Sequence, residues 1–485
     1  MGEGFLRGKF KRWCWVILVS LGLASFSPGA RADTVQPPYI RVLLDQGLSQ
    51  VSFQVIQGGY QLLDEQGKEI ARPVVGEAWE ARTIDGKLFL IRQGQTLPQT
   101  FTGVVELRPQ DEKTFNLFLY QGERLRGSLK IFLKPEGLAT VNTLDLEQYL
   151  YGVVGPEMAV STGTGEPGLE EALKAQAVVS RSYALSCLGS GGYYDVTDDT
   201  YTQVYRGYEA ELVPGADKVK KAVDATRGQV IYYEGKLVKA YFHSNAGGYT
   251  EDSENVWSEA LPYLRGVPSP EDEYALRFGG WIASTYSWSK TLTREEVQGM
   301  IKAWLERTGQ TAELGDIIDL ITSRERRDGS TPTVSGRVTR LEIVGTRGKA
   351  IAYRDRIRSV LGLRSTLFTL EMDSTVTILD GQGNKRELNY AGELKAVGAG
   401  GNPLSLNGPA SEYAVAGAEG ARMVPKIFQR VLIQGRGYGH GLGLSQWGAR
   451  GMAAKGFSYR DIIEHYYNQG RYDGKLTIGP YTRRL

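Results

Sequence analysis

Glu157 stands in Gly152-Val-Val-Gly-Pro-Glu157-Met158, directly after a proline and between apolar residues. A carboxyl partly buried among such neighbours has a raised pKa, keeps its proton and can act as a general acid. Spacing alone leaves a second reading open, a surface glutamate capping the next element, and that is the commoner role for a Glu so placed. The next stretch with chemical potential is Tyr241-Phe-His243-Ser244-Asn-Ala-Gly-Gly248, a strand running into a glycine turn. His243 and Ser244 are adjacent, and neighbours on a strand point to opposite faces, which speaks against a base–nucleophile pair. Either His243 hydrogen-bonds substrate or backbone, or it is purely structural. The third stretch, Gly435-Arg-Gly-Tyr-Gly-His440-Gly-Leu-Gly-Leu-Ser445-Gln446-Trp-Gly-Ala449, has six glycines in its first fourteen residues. It has neither a Gly-Lys-Ser/Thr signature nor a preceding parallel βαβ pattern, so nucleotide binding is not indicated. His440 either lines a cleft ahead of an amphipathic helix or sits in a tight, packed turn.

The rest of the inventory narrows the chemistry. Three His and two Cys in 485 residues leave no basis for a disulfide scaffold or a Cys/His zinc cluster. Carboxylates, hydroxyls and backbone amides remain. Glycine is in excess, 61 residues or about twice the usual ~7%, with no collagen-like period. Residues 1–32 read as an export signal: Arg7, Lys9, Lys11 and Arg12, an apolar run from Trp13 to Phe26, then Ala30-Arg31-Ala32 before cleavage. At 14 residues the run is shorter than the ~20 that span a bilayer. Cleavage after Ala32 removes five basic residues and one acidic one, taking the formal charge from +2 to −2. A nucleic-acid partner is therefore not expected. Only Cys187 remains, so the exported chain is expected to be free of internal disulfides.

Short alternating strands from Tyr39 to Leu133, with turns at Asp64–Gly67 and Asp85-Gly86, predict a β-rich domain over 33–135. Helical spacing begins at Leu144 and is expected to break at Pro156. A helix follows from about Leu169 to Leu188, and on it Gln176, Ser180 and Tyr183 share one face. Strands and a helix at Ala216–Ala225 are expected next. Residues 287–320 read as helical, with a capped start at Thr293, and 337–369 as strands with a helix near Arg354–Leu361. A Gly/Ala/Asn-rich, irregular insertion is expected over 371–430, before a last part at 431–485 with helices near 446–455 and 459–467. The fold class is α+β.

Several of these segments together resemble the SpoIID/LytB family of peptidoglycan-acting proteins. They are Val141–Met158, Glu171–Ala184, Gln203-Val-Tyr205, Phe242-His-Ser244, Ser335-Gly-Arg-Val338, Leu361–Thr366 and Gly437–Met452, in the family's order. The resemblance covers roughly 125–370 and 428–470, and implies a core over 136–370 completed by 431–485. It implies a lytic transglycosylase that cuts peptidoglycan glycan strands between N-acetylmuramic acid and N-acetylglucosamine without a cofactor. Glu157 falls on the catalytic glutamate. It would protonate the glycosidic oxygen and then deprotonate the muramoyl C6 hydroxyl, closing a 1,6-anhydro ring. Arg181, Tyr183, Gln203, His243, Ser244, His440, Ser445 and Gln446 are the cleft candidates. Many relatives read Asp-x-x-His-Cys-Gln-Val-Tyr, whereas this chain reads Asp198-Asp-Thr-Tyr201-Thr202-Gln-Val-Tyr205, so the zinc site of some members is not expected. The LytB side of the family implies an alternative: a non-catalytic wall-binding protein that enhances an N-acetylmuramoyl-L-alanine amidase, with other wall hydrolases as partners.

Overall fold

The computed structural model describes residues 38–160, 165–190, 192–379, 384–388, 395–397, 403–405, 412–417 and 420–482. The expected export signal lies outside them. Among the described residues no helix is long and apolar enough to cross a membrane.

Alternation over residues 39–145 produces two largely antiparallel sheets. In one, the strand Tyr39–Leu48 lies between Gly137–Asp145, antiparallel, and Val196–Thr197, parallel. In the other, Gln50–Gln57 pairs with Ala78–Ile84 and Leu117–Tyr120. Along Gln50–Gln57 every second residue (Val51, Phe53, Val55) is buried, as the period of a one-sided strand requires. These side chains join Trp79, Leu88 and Leu90, together with Ile40, Val42, Leu107 and Leu129 of the first sheet, in one core. Asp85 and Gly86 both have positive φ (49° and 69°), the geometry of a tight hairpin.

The boundary expected at 135 falls in a turn between hydrogen-bonded strands, Ser128–Lys134 and Gly137–Asp145. The second of these runs straight into helix α1 (Leu146–Glu157). Asp145 caps α1, its carboxylate accepting from the Glu147 and Gln148 amides at 2.9 and 3.2 Å. Sheet and helix thus share both chain and core. Helix α1 continues to Glu157 instead of ending at Pro156. Helices α2 (Leu169–Ser186) and α3 (Ala216–Ala225) pack against it. Glu147 and Arg181 meet inside this group, both closed to solvent, with guanidinium–carboxylate contacts of 2.9 and 2.6 Å. Gly228 N donates to the same carboxylate, and Arg181 Nη1 donates to Gln229 O.

After α4 (Ser253–Val256) and α5 (Gly280–Tyr286), the helix expected over 287–320 is confined to α6 (Arg294–Arg307). Its capping box, Thr293 with Glu296, is formed as expected. Ser287–Thr293 and Ile317–Ser323 are instead strands. Ser-Trp-Ser-Lys-Thr-Leu-Thr has the two-residue period and threonines of a strand, and it pairs along its length with Arg430–Arg436. These strands, α6 and α7 (Ile357–Leu361) enclose a second core around Val297, Trp304, Leu341 and Ile433. Phe368–Met372 is also a neighbour of Arg430–Arg436, so residues 373–429 leave and rejoin one sheet. Within that stretch the described residues form three short hairpins where irregular chain was expected. Their strands are only three to six residues long, too short to show an alternation. Helices α8 (Gln446–Ala454) and α9 (Tyr459–Asn468) follow, and Leu476–Pro480 pairs with Gln229–Tyr233.

Arg181→Ala strands a buried carboxylate and is expected to cost about 3–5 kcal/mol in denaturant unfolding. Replacing the pair together, Glu147→Leu with Arg181→Met, is expected to recover most of that loss.

Candidate active site

Pro156 has no N–H to give to Gly152 O, four residues back. That carbonyl instead accepts from Arg206 N at 3.0 Å. A side chain on Gly152 would lie 2.5 Å from the Tyr205 ring, so only glycine lets the 203–206 segment lie on α1. Tyr205 is fixed there by stacking on Tyr149 (5.2 Å) and by its hydroxyl, which donates to Asn142 Oδ1 at 2.9 Å. Tyr149 OH donates to Gln203 Oε1 at 3.2 Å. The amide of Val204, between these two anchored side chains, donates to Glu157 Oε1 at 2.7 Å.

The other oxygen of Glu157 is met by the third sequence stretch. Gln446 Nε2, at the start of α8, donates to Glu157 Oε2 at 2.9 Å. Ser445 caps that helix and donates to the buried Asp272 carboxylate, while accepting from Ala246 N at 3.2 Å. Arg450, on the same face as Gln446 four residues on, donates to Met158 O at 2.8 Å, pairs with Glu166 and lies over Trp447 at 4.3 Å. Arg450 was not among the residues singled out from sequence; its spacing from Gln446 is the signal that could have found it.

Glu157 is half-buried. Burial raises its pKa above the usual carboxylate value, while the Val204 amide, Gln446 and the charge of Arg206 pull it down. Its place at the carboxyl end of α1 also favours the neutral form, because the helix dipole is negative there. The group can therefore hold a proton and can also bear a charge, as a general acid that later acts as a base must. Asp198, in the loop leading to Val204, is likewise pushed up to about 6 by burial.

The second stretch reaches the third through a two-residue parallel bridge, Phe242–His243 beside Leu444–Ser445, and Ser244 O accepts from Trp447 N at 3.0 Å. His243 is buried, and its Nδ1 donates to Leu442 O at 3.0 Å. Leu442 N in turn donates to His440 Nδ1 at 3.0 Å. The two imidazoles lie 5.4 Å apart, and His440 touches Trp257 at 5.0 Å. Burial drives His440 down to about 4 and holds His243 well below the usual imidazole value, so both rings are neutral at ordinary pH. A side chain on Gly439 (φ 116°) would sit 2.7 Å from His243 Cβ, which accounts for glycine there.

The structure thus gathers Glu157 and Gln446 directly, Gln203 through its neighbour Val204, and Ser445, Ser244, His243 and His440 around the start of α8. Arg181 is not in this group, being closed off in its pair with Glu147. Tyr183 packs edge-on against Tyr241 and Phe242 at 5.6 and 6.4 Å. Tyr201 and Thr202 do not fit a zinc site. Tyr201 is 83% exposed, and the Thr202 hydroxyl accepts from Thr197 N and donates to Thr197 O. Among the described residues no three His, Cys, Asp or Glu side chains cluster as metal ligands.

Comparison with known proteins adds two family matches and several relatives. Residues 134–233, which hold α1, α2 and the Gln203–Tyr205 loop, match the SpoIID family, described as Stage II sporulation protein. Residues 277–385 match a domain of unknown function, DUF8618. The chain is 29% identical to Stage II sporulation protein D of Bacillus amyloliquefaciens, over 68% of this chain and 74% of that protein. It is 27% identical to an uncharacterized protein of Brachyspira hyodysenteriae, over 72% and 73% respectively. It is 26% identical to the Amidase enhancer of Bacillus subtilis, over 74% of this chain but 49% of that longer protein.

Asp272, buried beneath the start of α8, is raised to about 6 by desolvation. The folded state therefore binds its proton more tightly than the unfolded chain, and this contribution to stability is lost as pH rises from about 4 to about 6. The Tm difference between wild type and Asp272→Asn is expected to change over that interval and level off above it.

Proposed function

We propose that this chain, which matches the SpoIID family over residues 134–233 and is similar to a Stage II sporulation protein D, is a peptidoglycan lytic transglycosylase acting on the bond between N-acetylmuramic acid and N-acetylglucosamine. The observation that carries this reading is the Glu157 carboxyl, raised by burial and held at both oxygens by Val204 N and Gln446 Nε2. In the first step neutral Glu157 gives its proton to the glycosidic oxygen as the bond from C1 breaks. The two N–H donors then steady the resulting carboxylate. In the second, that carboxylate takes the proton of the muramoyl C6 hydroxyl while O6 bonds to C1. The product is a 1,6-anhydro end, and Glu157 regains its proton. The nucleophile is within the substrate, so no second carboxylate and no water enter the reaction, unlike most glycoside hydrolysis. On this reading the protein works outside the cytoplasm, with residues 1–32 as its leader.

The similarity to a protein named Amidase enhancer favours a second reading, a wall-binding protein that stimulates an amidase without cutting glycan. Incubation with purified glycan strands separates the two. Mass spectrometry is expected to show 1,6-anhydro ends with wild type and about 10²–10⁴-fold fewer with Glu157→Gln. Identical, anhydro-free profiles for both proteins would sink the enzyme reading, and stimulation of an amidase by both would then support the second. Gln446→Ala removes a donor that stabilises the ionised carboxyl. The alkaline limb of the pH–rate profile is expected to move to higher pH in that variant.

A further inference from the structure

Beyond the histidine pair the surface opens into a cleft of about 1030 Å³. One wall is α4 with Trp257, whose ring lies against His440. The opposite wall is the end of a three-stranded sheet, where Ser323, Arg340 and Tyr353 stand in register, followed by the turn Arg354–Arg356. Arg327 joins the walls, its Nη1 donating to Ser258 O at 2.6 Å. Much of the second wall falls in the region that matches a domain of unknown function.

The charge on these walls is unbalanced. Five arginines (326, 327, 340, 354 and 356) and three carboxylates (Glu254, Glu325 and Asp355) line the cleft. Glu254 is neutralised by Arg265 and Asp355 by Arg358, neither of which lines it, and Arg340 pairs with Glu342. Glu325 alone is left against four arginines. Among the described residues, no hydrogen-bond acceptor meets the guanidinium of Arg354 or Arg356. Arg354 is also held at φ 56°, a strained conformation for a residue with a side chain. Planar guanidinium groups free in a concave site favour a carboxylate, which they can grip by two parallel hydrogen bonds. Trp257, half-buried against Tyr241 and His440, and Tyr353, 52% exposed, both line the cleft and give it aromatic surface of the kind on which the C–H face of a sugar packs.

We propose that this cleft binds a carboxylate-bearing saccharide, with its acid on Arg354 and Arg356 and its ring against Trp257 and Tyr353. The proposed glycan substrate, on which this rests, would be the source of such a sugar. Calorimetric titration of the full chain tests it with N-acetylmuramic acid, its methyl ester and N-acetylglucosamine. The free acid is expected to bind about tenfold tighter than either neutral sugar, as charge-assisted hydrogen bonds imply. That advantage should shrink between about 50 mM and about 500 mM salt. Arg354→Gln with Arg356→Gln is expected to abolish the preference while leaving the ester's affinity and the Tm unchanged. Arg356→Glu alone, at an exposed position, is expected to reduce it. Equal affinity for acid and ester, or an undiminished preference in the arginine variants, would overturn the proposal. Glu157→Gln is expected to keep the full preference. Loss of anhydro products with the preference intact leaves this site standing without the transglycosylase reading, and the reverse result leaves that reading standing without this site.

Discussion

One carboxyl group held at both oxygens by distant parts of the chain is the constraint around which this molecule is organised. Enclosure favours the neutral form of Glu157, while the Val204 amide and Gln446 favour the anion. Neither donor can be placed locally. The first needs Gly152, Pro156 and Tyr205 to lay a loop on α1; the second needs Ser445, Asp272 and Arg450 to set α8 against the end of α1. The capped strand-to-helix junction at Asp145 then ties α1 to the β-sheets behind it.

The histidines take a different part from the one their chemistry first suggests. His243 and His440 each bond to Leu442, one through its carbonyl and one through its amide. These two bonds shape the glycine loop, and burial keeps both rings uncharged. Their value lies in organising backbone, which a neutral imidazole does well because Nδ1 donates in one tautomer, as in His243, and accepts in the other, as in His440. Arg337 completes the support beneath the loop, buried and donating to Ala246 O at 2.9 Å.

Much of this was legible in the sequence because the signals were local. The alternation of the N-terminal strands, the cap at Thr293, the bounds of α3 and the neighbours of Glu157 all depend on residues within a few positions of one another. What stayed hidden was set by partners far away. Pro156 looked like a break because its lost hydrogen bond is made good only by Arg206, fifty residues on. Arg181 looked like a cleft residue because nothing near it announces Glu147 as its partner. The strand at 287–293 carries its own two-residue period but finds its partner only at 430–436, and the strands of 376–425 are three to six residues long, too short to show a period.

The distance between the two donors also has a consequence in time. Glu157 and Gln446 are 289 positions apart. During synthesis α1 is made early, and its carboxyl can be met at one oxygen by the nearby loop. The second oxygen waits for α8, 289 positions further along. A nascent or prematurely ended polypeptide therefore carries the glutamate but not its finished surroundings. The order of synthesis is itself a delay, and the acid is completed only once α8 has been made.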